Sequence, residues 1–228
     1  MSFFKNCYLQ NYKLYDSLIT HHDYQNKILS TIKQIISIND KIIADVGCGT
    51  GRLTSLLINE ARKVYLCDAS EKMLEGARER LKNIPSSKYE INVSNTFNLP
   101  YLNNSFDILI EGWSLSFCIR EISLWDKLID ELLRVLRKNG TIILIETLGY
   151  GVESPNCTNS YLNSFYSYLI NDRGFNFEWI RTDYQYTDEN QAILYTNAFF
   201  DYDVTERLLI NPQKTIPECT GIWWLTKR

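Results

Sequence analysis

The stretch Lys-Ile-Ile-Ala-Asp-Val-Gly-Cys-Gly-Thr-Gly-Arg-Leu-Thr, residues 41–54, decides the fold of this 228-residue chain. An apolar run ends in the acid Asp45, and glycines follow at alternate positions, Gly47, Gly49 and Gly51. An amphipathic pattern comes directly afterwards, so the order predicts a strand, a tight turn and a helix. Glycine permits φ > 0 and lets a ligand lie against the backbone. The first amides of the helix have no intrahelical partner and can face that ligand.

A second acid follows the next apolar run, Val64 to Cys67, at position 68. If this run is the neighbouring parallel strand, Asp68 lies at the carboxyl edge of the sheet, beside the glycine turn. A carboxylate at this place accepts hydrogen bonds from both hydroxyls of a ribose. Ser70 then has the character of a helix N-cap. The glycine turn and Asp68 together indicate a site for an adenosine-bearing ligand.

Together with two downstream segments, these residues resemble the class I S-adenosylmethionine-dependent methyltransferases. Residues 95–107 resemble the family's acid, Leu-Pro and Phe-Asp segment, and residues 132–146 resemble its helix, turn and fifth strand. The resemblance covers about residues 40–147 and is greatest to the small-molecule subgroup that is similar to ubiquinone and menaquinone methyltransferases. Asn95 stands where the family usually has Asp, and Asn139 where Gly or Pro is common.

The alternation of strand and helix patterns predicts an α/β fold with a doubly wound, Rossmann-like sheet. The resemblance implies seven strands, mostly parallel, with an antiparallel last strand. The predicted strands are 41–46, 62–67, 88–93, 106–111, 140–147, 177–184 and 219–226. The predicted helices beyond the N-terminal region are 52–60, 71–82, 121–137, 158–172 and 188–200. Residues 208–217 are expected to form a loop.

The chain shows no linker, so we predict a single methyltransferase domain over residues 1–228. Its expected parts are an N-terminal helical lid (1–40), a cofactor-binding core (41–147) and substrate-side helices with terminal strands (148–228). We expect a monomer or a homodimer.

Composition and charge disfavour several classes of protein. The net charge of −3, the pI near 5.5 and the absence of a Lys/Arg block argue against nucleic acid as a partner. The six cysteines form no CxxC pair, and with two histidines they give no zinc-type spacing, so no metal and reduced thiols are expected. No apolar run approaches a membrane span, and the first residues lack a signal-peptide core, which predicts a cytoplasmic protein without membrane association.

The resemblance implies S-adenosylmethionine as the cofactor. Asp68 is expected to bind the ribose, Asn95 and Thr96 the edge of the adenine, and Met73 its face. Asp45 either orients the methionine end or simply caps the turn. The full expected set is Asp45, Gly47, Cys48, Gly49, Thr50, Gly51, Asp68, Ala69, Met73, Asn95, Thr96 and Glu111.

Candidates for catalysis and substrate binding follow from position in the predicted fold. Glu111 ends strand four, which in this fold faces the reacting methyl, and is expected to bind the methionine amino group or a cationic substrate, or to act only as a strand-end carboxylate. His22 is a candidate general base because the ordinary pKa of histidine lies near neutrality, although an exposed histidine without a role is commoner. Tyr15, Trp113 and Tyr161 are candidate substrate contacts, with core packing as the alternative.

Methyl transfer from a sulfonium is an in-line displacement that needs alignment and exclusion of water more than a strong base. We therefore predict methyl transfer to an O, N or C atom of a small molecule, with release of S-adenosylhomocysteine. Two alternatives stay open: a noncatalytic S-adenosylmethionine-binding protein, and a methyltransferase acting on protein or RNA. A nicotinamide-dependent oxidoreductase is disfavoured, because it predicts GxGxxG rather than GxGxG.

Overall fold

The structure, a computed structural model, describes residues 12–157, 159–200 and 202–228. The first part of the predicted lid, residues 1–11, lies outside the described residues. The helices are α1 (Tyr12–Ile19), α2 (Lys27–Ile35), α3 (Arg52–Leu57), α4 (Glu71–Leu81), α5 (Trp125–Val135), α6 (Ser160–Asn171), α7 (Glu189–Phe199) and α8 (Tyr202–Ile210). The strands are β1 (Ile42–Val46), β2 (Lys63–Asp68), β3 (Tyr89–Val93), β4 (Phe106–Gly112), β5 (Leu136–Tyr150), β6 (Asn176–Arg181), β7 (Tyr184–Gln185), β8 (Thr215–Ile216) and β9 (Glu218–Thr226).

In the described part of the chain, seven strands form one sheet in the order β3-β2-β1-β4-β5-β9-β6. Strands β1 to β5 pair in parallel, whereas β9 is antiparallel to both β5 and β6. The predicted α/β sheet with an antiparallel last strand is therefore confirmed. The carboxyl ends of the parallel strands meet at one edge, and the amino end of β9 reaches the same edge because that strand runs the other way.

Both faces of the sheet are covered, as expected for parallel strands joined by helices. In β5, Ile142 and Leu144 pack in the core formed with α5 and α6. Ile143 and Ile145 pack on the opposite face, in the core formed with α2, α3 and α4. All four side chains are fully buried, so successive residues of this strand pack alternately into the cores on the two faces of the sheet.

The helix predicted over residues 121–137 is shorter than expected. Its α-helical part ends at Val135, and Leu136 already belongs to β5. The amide of Ser105 donates to the carbonyl of Val135 at 2.7 Å. In a longer helix this carbonyl would accept from an amide one turn further along the helix, so the contact with Ser105 replaces that helical hydrogen bond. The polar residues that follow therefore begin the strand instead of ending the helix.

The strand predicted over residues 177–184 stops at Arg181. Its guanidinium binds the carboxylate of Asp183 through Nε at 2.7 Å and Nη2 at 2.8 Å, across a sharp change of direction. Tyr184 then pairs with Ile216 in the separate two-stranded sheet β7–β8.

The prediction of a loop over residues 208–217 is wrong, because α8 extends to Ile210 and β8 occupies two further positions. Val204 and Leu208, one helical turn apart, are both buried in a third apolar cluster. Tertiary packing of this short apolar stripe stabilises a helix that the local sequence signals weakly.

The third cluster also includes Leu18 of α1, together with Tyr184 and Tyr186. It fixes the described part of the predicted lid against the C-terminal helices α7 and α8. The segment from Tyr12 to Asn26 is thereby held at the carboxyl edge of the sheet. Among the helices that the structure describes, none combines the length and apolar character needed to cross a bilayer.

Candidate active site

The turn between β1 and α3 is built from glycines in the left-handed backbone region. Gly47, Gly49 and Gly51 have φ of +67°, +53° and +75°. A Cβ built on Gly47 would overlap Ser114 Oγ and lie 2.7 Å from Ser114 Cβ. Position 47 therefore requires glycine for two reasons, backbone conformation and close approach of the segment after β4.

Asp45 lies beneath this turn and is buried. Its Oδ2 accepts hydrogen bonds from the amide of Thr54 at 3.0 Å and from the hydroxyl of Thr54 at 2.6 Å. Burial raises the pKa of Asp45 to about 6. The contacts are those of a cap that ties the end of β1 to the first turn of α3.

Asp68, at the end of β2, is part of the same turn through hydrogen bonds. Its Oδ2 accepts from the amide of Gly49 at 2.9 Å, and its Oδ1 accepts from the amide of Ser70 at 2.8 Å. Ser70 in turn caps α4 by accepting from the amide of Met73 at 3.4 Å. One carboxylate thus fixes both the glycine turn and the start of the next helix.

The turn is covered by side chains from three elements. A Cβ at Gly49 would lie 3.4 Å from Met73 Cε and 4.0 Å from Tyr15 Cε1. A cavity of about 30 Å³ remains beside the turn. It is lined by Tyr15, Asp45, Gly47, Cys48, Gly49, Arg52, Leu53, Gly112, Trp113 and Ser114. This volume accommodates about one water molecule, so α1 and Trp113 close over the turn.

Two buried carboxylates lie near the carboxyl end of β4, Glu111 on that strand and Glu146 on the neighbouring β5. Glu111 Oε1 accepts from the hydroxyl of Ser114 and from its amide, the latter at 2.8 Å. Glu146 Oε1 accepts from the amide of Leu115 at 3.0 Å. Oε2 of Glu111 has no hydrogen-bond partner among the described residues. Burial raises the pKa of Glu111 to about 8, and burial together with the nearby Glu111 raises the pKa of Glu146 well above its usual value.

His22 is buried, contrary to the commoner expectation of an exposed histidine. Its Nδ1 lies 2.6 Å from Arg52 Nη1, and its Nε2 lies 3.5 Å from Glu218 Oε2. Arginine can only donate, so Nδ1 accepts and Nε2 carries the proton. Burial and the charge of Arg52 lower the pKa of His22 well below its ordinary value. Arg52 occupies Nδ1, the nitrogen that would have to accept a proton, which is unfavourable for the predicted role of His22 as a general base, whereas Nε2 makes no hydrogen bond to the described residues.

Trp113 forms the wall between this histidine and the cavity. Its backbone has φ of +57°, which is uncommon for a residue with a side chain. The Arg52 guanidinium lies 5.1 Å from the centre of a Trp113 ring, and the His22 ring meets it edge-on at 5.3 Å. A hydrogen bond from the Trp113 amide to the carbonyl of Ile145 (2.9 Å) holds the unusual backbone in place.

The predicted adenine residues lie near Asp68 but contribute differently. The amide of Ser94 donates to the carbonyl of Asp68 at 3.0 Å, so the segment after β3 begins beside the site. Asn95 Oδ1 accepts from the amide of Phe97 at 2.8 Å. This hydrogen bond stabilises the local turn that begins at Asn95. Asn95 and Ala69 are exposed, whereas Thr96 is half-buried.

Tyr161 is not brought to the cavity. It lies on α6, its ring meets Trp125 edge-on at 5.8 Å, and its buried hydroxyl has no partner in the described residues. A larger cleft of about 680 Å³ lies between α5 and α6 but is lined by none of the predicted site residues. The described geometry therefore gives no support to a substrate contact at Tyr161.

Three residues at this edge were missed by reasoning from the sequence: Arg52, Glu146 and Glu218. Glu146 follows an apolar run just as Asp45 and Asp68 do, so the same signal could have found it. Glu218 stands at the amino end of β9, and only the antiparallel topology brings it to the site.

Comparison with known proteins agrees with this geometry. A family described as a methyltransferase domain matches residues 44–144. The chain is 28% identical over 170 residues to a demethylmenaquinone methyltransferase of Thermotoga maritima, an alignment that covers 69% of this chain and 68% of that protein. It is 35% identical over 108 residues to the ubiquinone/menaquinone biosynthesis C-methyltransferase UbiE of Escherichia coli, covering 46% of this chain and 41% of that protein.

Residues 44–144 of this chain therefore match a methyltransferase domain, and the chain is similar to quinone methyltransferases over part of its length. A solved structure with the same fold is the YcgJ protein of Bacillus subtilis, with a TM-score of 0.61 and 13% identity, covering 89% of this chain and 99% of that one. The methyltransferase chain described here thus spans about two thirds of the Thermotoga relative and less than half of the UbiE relative.

Proposed function

We propose that this methyltransferase transfers the methyl group of S-adenosylmethionine to a carbon atom of a small quinol-type molecule, at the cavity between the glycine turn and Trp113. The observation that carries the proposal is the hydrogen bond from the Gly49 amide to Asp68, which joins a glycine-lined turn and a strand-end carboxylate into one site. This combination suits an adenosine-bearing ligand, because the backbone offers close approach and Asp68 offers acceptors for ribose hydroxyls.

The residue types along this edge suit each part of the cofactor, which can enter only when α1 and Trp113 move away from the turn, because the cavity now holds about one water molecule. Asp68 would hold the ribose, and Met73, fully buried against Gly49, would pack on the adenine. Gly47 leaves room for the methionine portion beside Glu111, whose unpartnered oxygen would receive its ammonium group. When bound, the cofactor supplies a methyl group activated by a sulfonium.

The protein's own contribution is alignment and exclusion of water. Tyr15 and Trp113 close the cavity from opposite sides, and Arg52 and His22 fix the Trp113 ring. A site that closes over its ligands favours an in-line displacement because it excludes water and holds the reactants in one orientation. Neither His22 nor Asp45 is well placed to act as a base, since Arg52 occupies His22 Nδ1 and Thr54 donates twice to Asp45 Oδ2.

The names of the curated relatives support a quinone-type acceptor. The Thermotoga relative is a demethylmenaquinone methyltransferase, and the Escherichia relative is a ubiquinone/menaquinone C-methyltransferase. Once α1 has moved away from the turn, the aromatic side chains of Tyr15 and Trp113 would offer flat surfaces on which such a ring can pack.

The experiment that tests the function has two stages. Calorimetric titration with S-adenosylmethionine, S-adenosylhomocysteine and NAD should give micromolar-range binding of the two sulfur nucleotides and none of NAD. Transfer of a labelled methyl group to a short-chain demethylmenaquinol should then be measured, with phosphoethanolamine as an amine acceptor for comparison. Binding without transfer to either acceptor would favour a noncatalytic binding protein, and labelling of the amine alone would refute the quinol class.

A further inference from the structure

Glu111 and Glu146 form a pair of buried carboxylates without a cationic partner. They hold the segment after β4 from two sides, Glu111 through Ser114 and Glu146 through Leu115. Within residues 12–157, 159–200 and 202–228, no lysine, arginine or histidine forms an ion pair with either of them. The exposed fraction is 0% for Glu111 and 4% for Glu146.

The groups that face this pair from the surrounding elements add no positive charge. They are Asp45 from β1, Cys118 from the segment after β4, Cys157 before α6 and Tyr166 on α6. Two adjacent carboxylates in a dry site cannot both ionise cheaply, because burial and mutual repulsion both favour the protonated form. A buried oxygen without a donor is costly as an anion. Burial, the missing cation and the unpartnered Oε2 therefore favour the protonated form of Glu111 in the free protein.

The pair borders the place where the methionine end of the cofactor would lie. A Cβ at Gly47 would lie 3.9 Å from Glu111 Oε1, so the glycine turn touches the carboxyl group of Glu111 directly. An ammonium group placed over Gly47 would supply the donor that Glu111 Oε2 lacks.

We propose that Glu111 exchanges its proton for the α-ammonium group of the cofactor, with Glu146 as the neighbour that stays neutral. The proposal rests on the proposed function, because it takes the methionine end to lie at Gly47. In the exchange the O–H bond of Glu111 breaks and the proton passes to solvent. The carboxylate then accepts hydrogen bonds from the ammonium, and no electrons are transferred. Binding of the cofactor is thereby coupled to release of a proton.

The coupling predicts a calorimetric signature that needs no methyl acceptor. S-adenosylhomocysteine is titrated at pH 7 into the protein in phosphate and in Tris, whose ionisation enthalpies differ. With the pKa of Glu111 near 8, nearly one proton should be released per bound ligand. Binding should tighten about tenfold per pH unit from pH 6 to 7 and level off near pH 8. 5′-Methylthioadenosine lacks the amino acid portion, so its binding should release no proton.

Variants identify the group that loses the proton. Glu111→Gln should abolish both the release and the pH dependence. Glu146→Gln should keep both, because glutamine reproduces a neutral carboxyl group. Glu218→Gln is the matched control: Glu218 is equally buried, its pKa is raised by burial to about 7, and it lies beside His22 and Thr147 instead. This control should also keep the full release.

The outcomes separate this inference from the proposed function. Tight binding of S-adenosylhomocysteine without proton release would overturn the exchange, and so would release that persists in Glu111→Gln. Release lost in Glu146→Gln but kept in Glu111→Gln would overturn the assignment to Glu111. If Glu111→Gln fails to fold, equal release with S-adenosylhomocysteine and 5′-methylthioadenosine in the unmodified protein would still refute it. Failure of both ligands to bind would refute the cofactor site itself.

Discussion

Arg52 Nη1 lies 2.6 Å from Nδ1 of His22, and this contact joins the first residue of α3 to the loop that follows the lid helix α1. Arg52 comes directly after the glycine turn, so its backbone continues that turn while its guanidinium contacts the loop after α1. The same guanidinium lies over Trp113. One side chain thus connects the turn, the lid and the wall of the cavity.

This contact predicts the protonation behaviour of His22. Because its pKa in the folded protein lies well below that of the unfolded chain, the unfolded state binds the extra proton below about pH 6.5. The free energy of unfolding should therefore fall as the pH decreases from 6.5 to 5, and His22→Asn should reduce this loss. Urea unfolding of both proteins at the two pH values measures the difference. Equal losses would contradict the neutral state of His22.

The tautomer can be observed separately. The chain has two histidines, so the imidazole resonances are few. Nitrogen NMR should show His22 protonated at Nε2 and not at Nδ1, and Arg52→Met should remove the preference because the donor to Nδ1 is lost. A cationic imidazolium at pH 6.5 would be incompatible with the Arg52 contact.

Gly47→Ala should destabilise the fold by about 2–5 kcal/mol. The left-handed backbone contributes roughly 1–2 kcal/mol, and overlap with Ser114 adds about 1–3 kcal/mol. Gly174→Ala is a matched control, since Gly174 has φ of +71° but a Cβ there would meet nothing within 4 Å. The control should lose only the backbone contribution. Denaturant unfolding measures the free energy of unfolding of both variants. Equal losses of stability would show that Ser114 moves away from the added methyl group at no cost.

Asp68→Ala should weaken binding of S-adenosylhomocysteine by about 1–3 kcal/mol, or roughly 5- to 150-fold, because charge-assisted hydrogen bonds are lost. The exposed acid Asp40, paired with Arg62, provides the control Asp40→Ala. That variant should bind the ligand normally by calorimetry. An unchanged dissociation constant in Asp68→Ala would rule out the ribose assignment.

Arg80 forms a second contact that holds α1 over the glycine turn, in addition to the Arg52–His22 contact. Removing it should let α1 open more readily. Arg80 binds Asp16 of α1 at 2.8 Å and donates to the carbonyl of Thr50, in the glycine turn, at 2.9 Å. Because the cavity is closed by α1, Asp16→Asn should accelerate both association and dissociation of S-adenosylhomocysteine by up to about fivefold, the range for a partly exposed ion pair.

Stopped-flow fluorescence measures both rates. Glu90→Gln removes the exposed pair with Lys63, at the amino ends of β2 and β3 and away from the carboxyl edge, and should leave both rates unchanged. A change in the dissociation rate alone would mean that Asp16 stabilises the complex with S-adenosylhomocysteine and does not control entry of this ligand.

The sheet and the glycine turn could be predicted because their signals are local. Apolar runs ending in Asp45 and Asp68, each followed by turn residues, identify both the strands and the edge where they end. The end of helix α8 was not predicted because Val204 and Leu208 form only a short apolar stripe. Their burial depends on contacts with residues that are far away in the sequence.

The polar interior of the site was less predictable for a different reason. Nothing in the neighbourhood of His22 indicates that it is buried between Arg52 and Glu218, which lie 30 and 196 positions further along the chain. The assignment of Tyr161 as a substrate contact relied on aromatic composition, which does not distinguish a cavity wall from packing against Trp125.

The position of β9 between β5 and β6 has a consequence for synthesis on the ribosome. The outer edge of β5 and the whole of β6 lack their sheet partner until residues 218–226 have been made. At 5–20 residues per second, the 45 residues from 182 to 226 take roughly 2–9 s. During this interval the nascent chain presents two unpaired strand edges, to which another chain can add by backbone hydrogen bonding. Slow translation of this last segment should therefore increase aggregation more than slow translation of the N-terminal half.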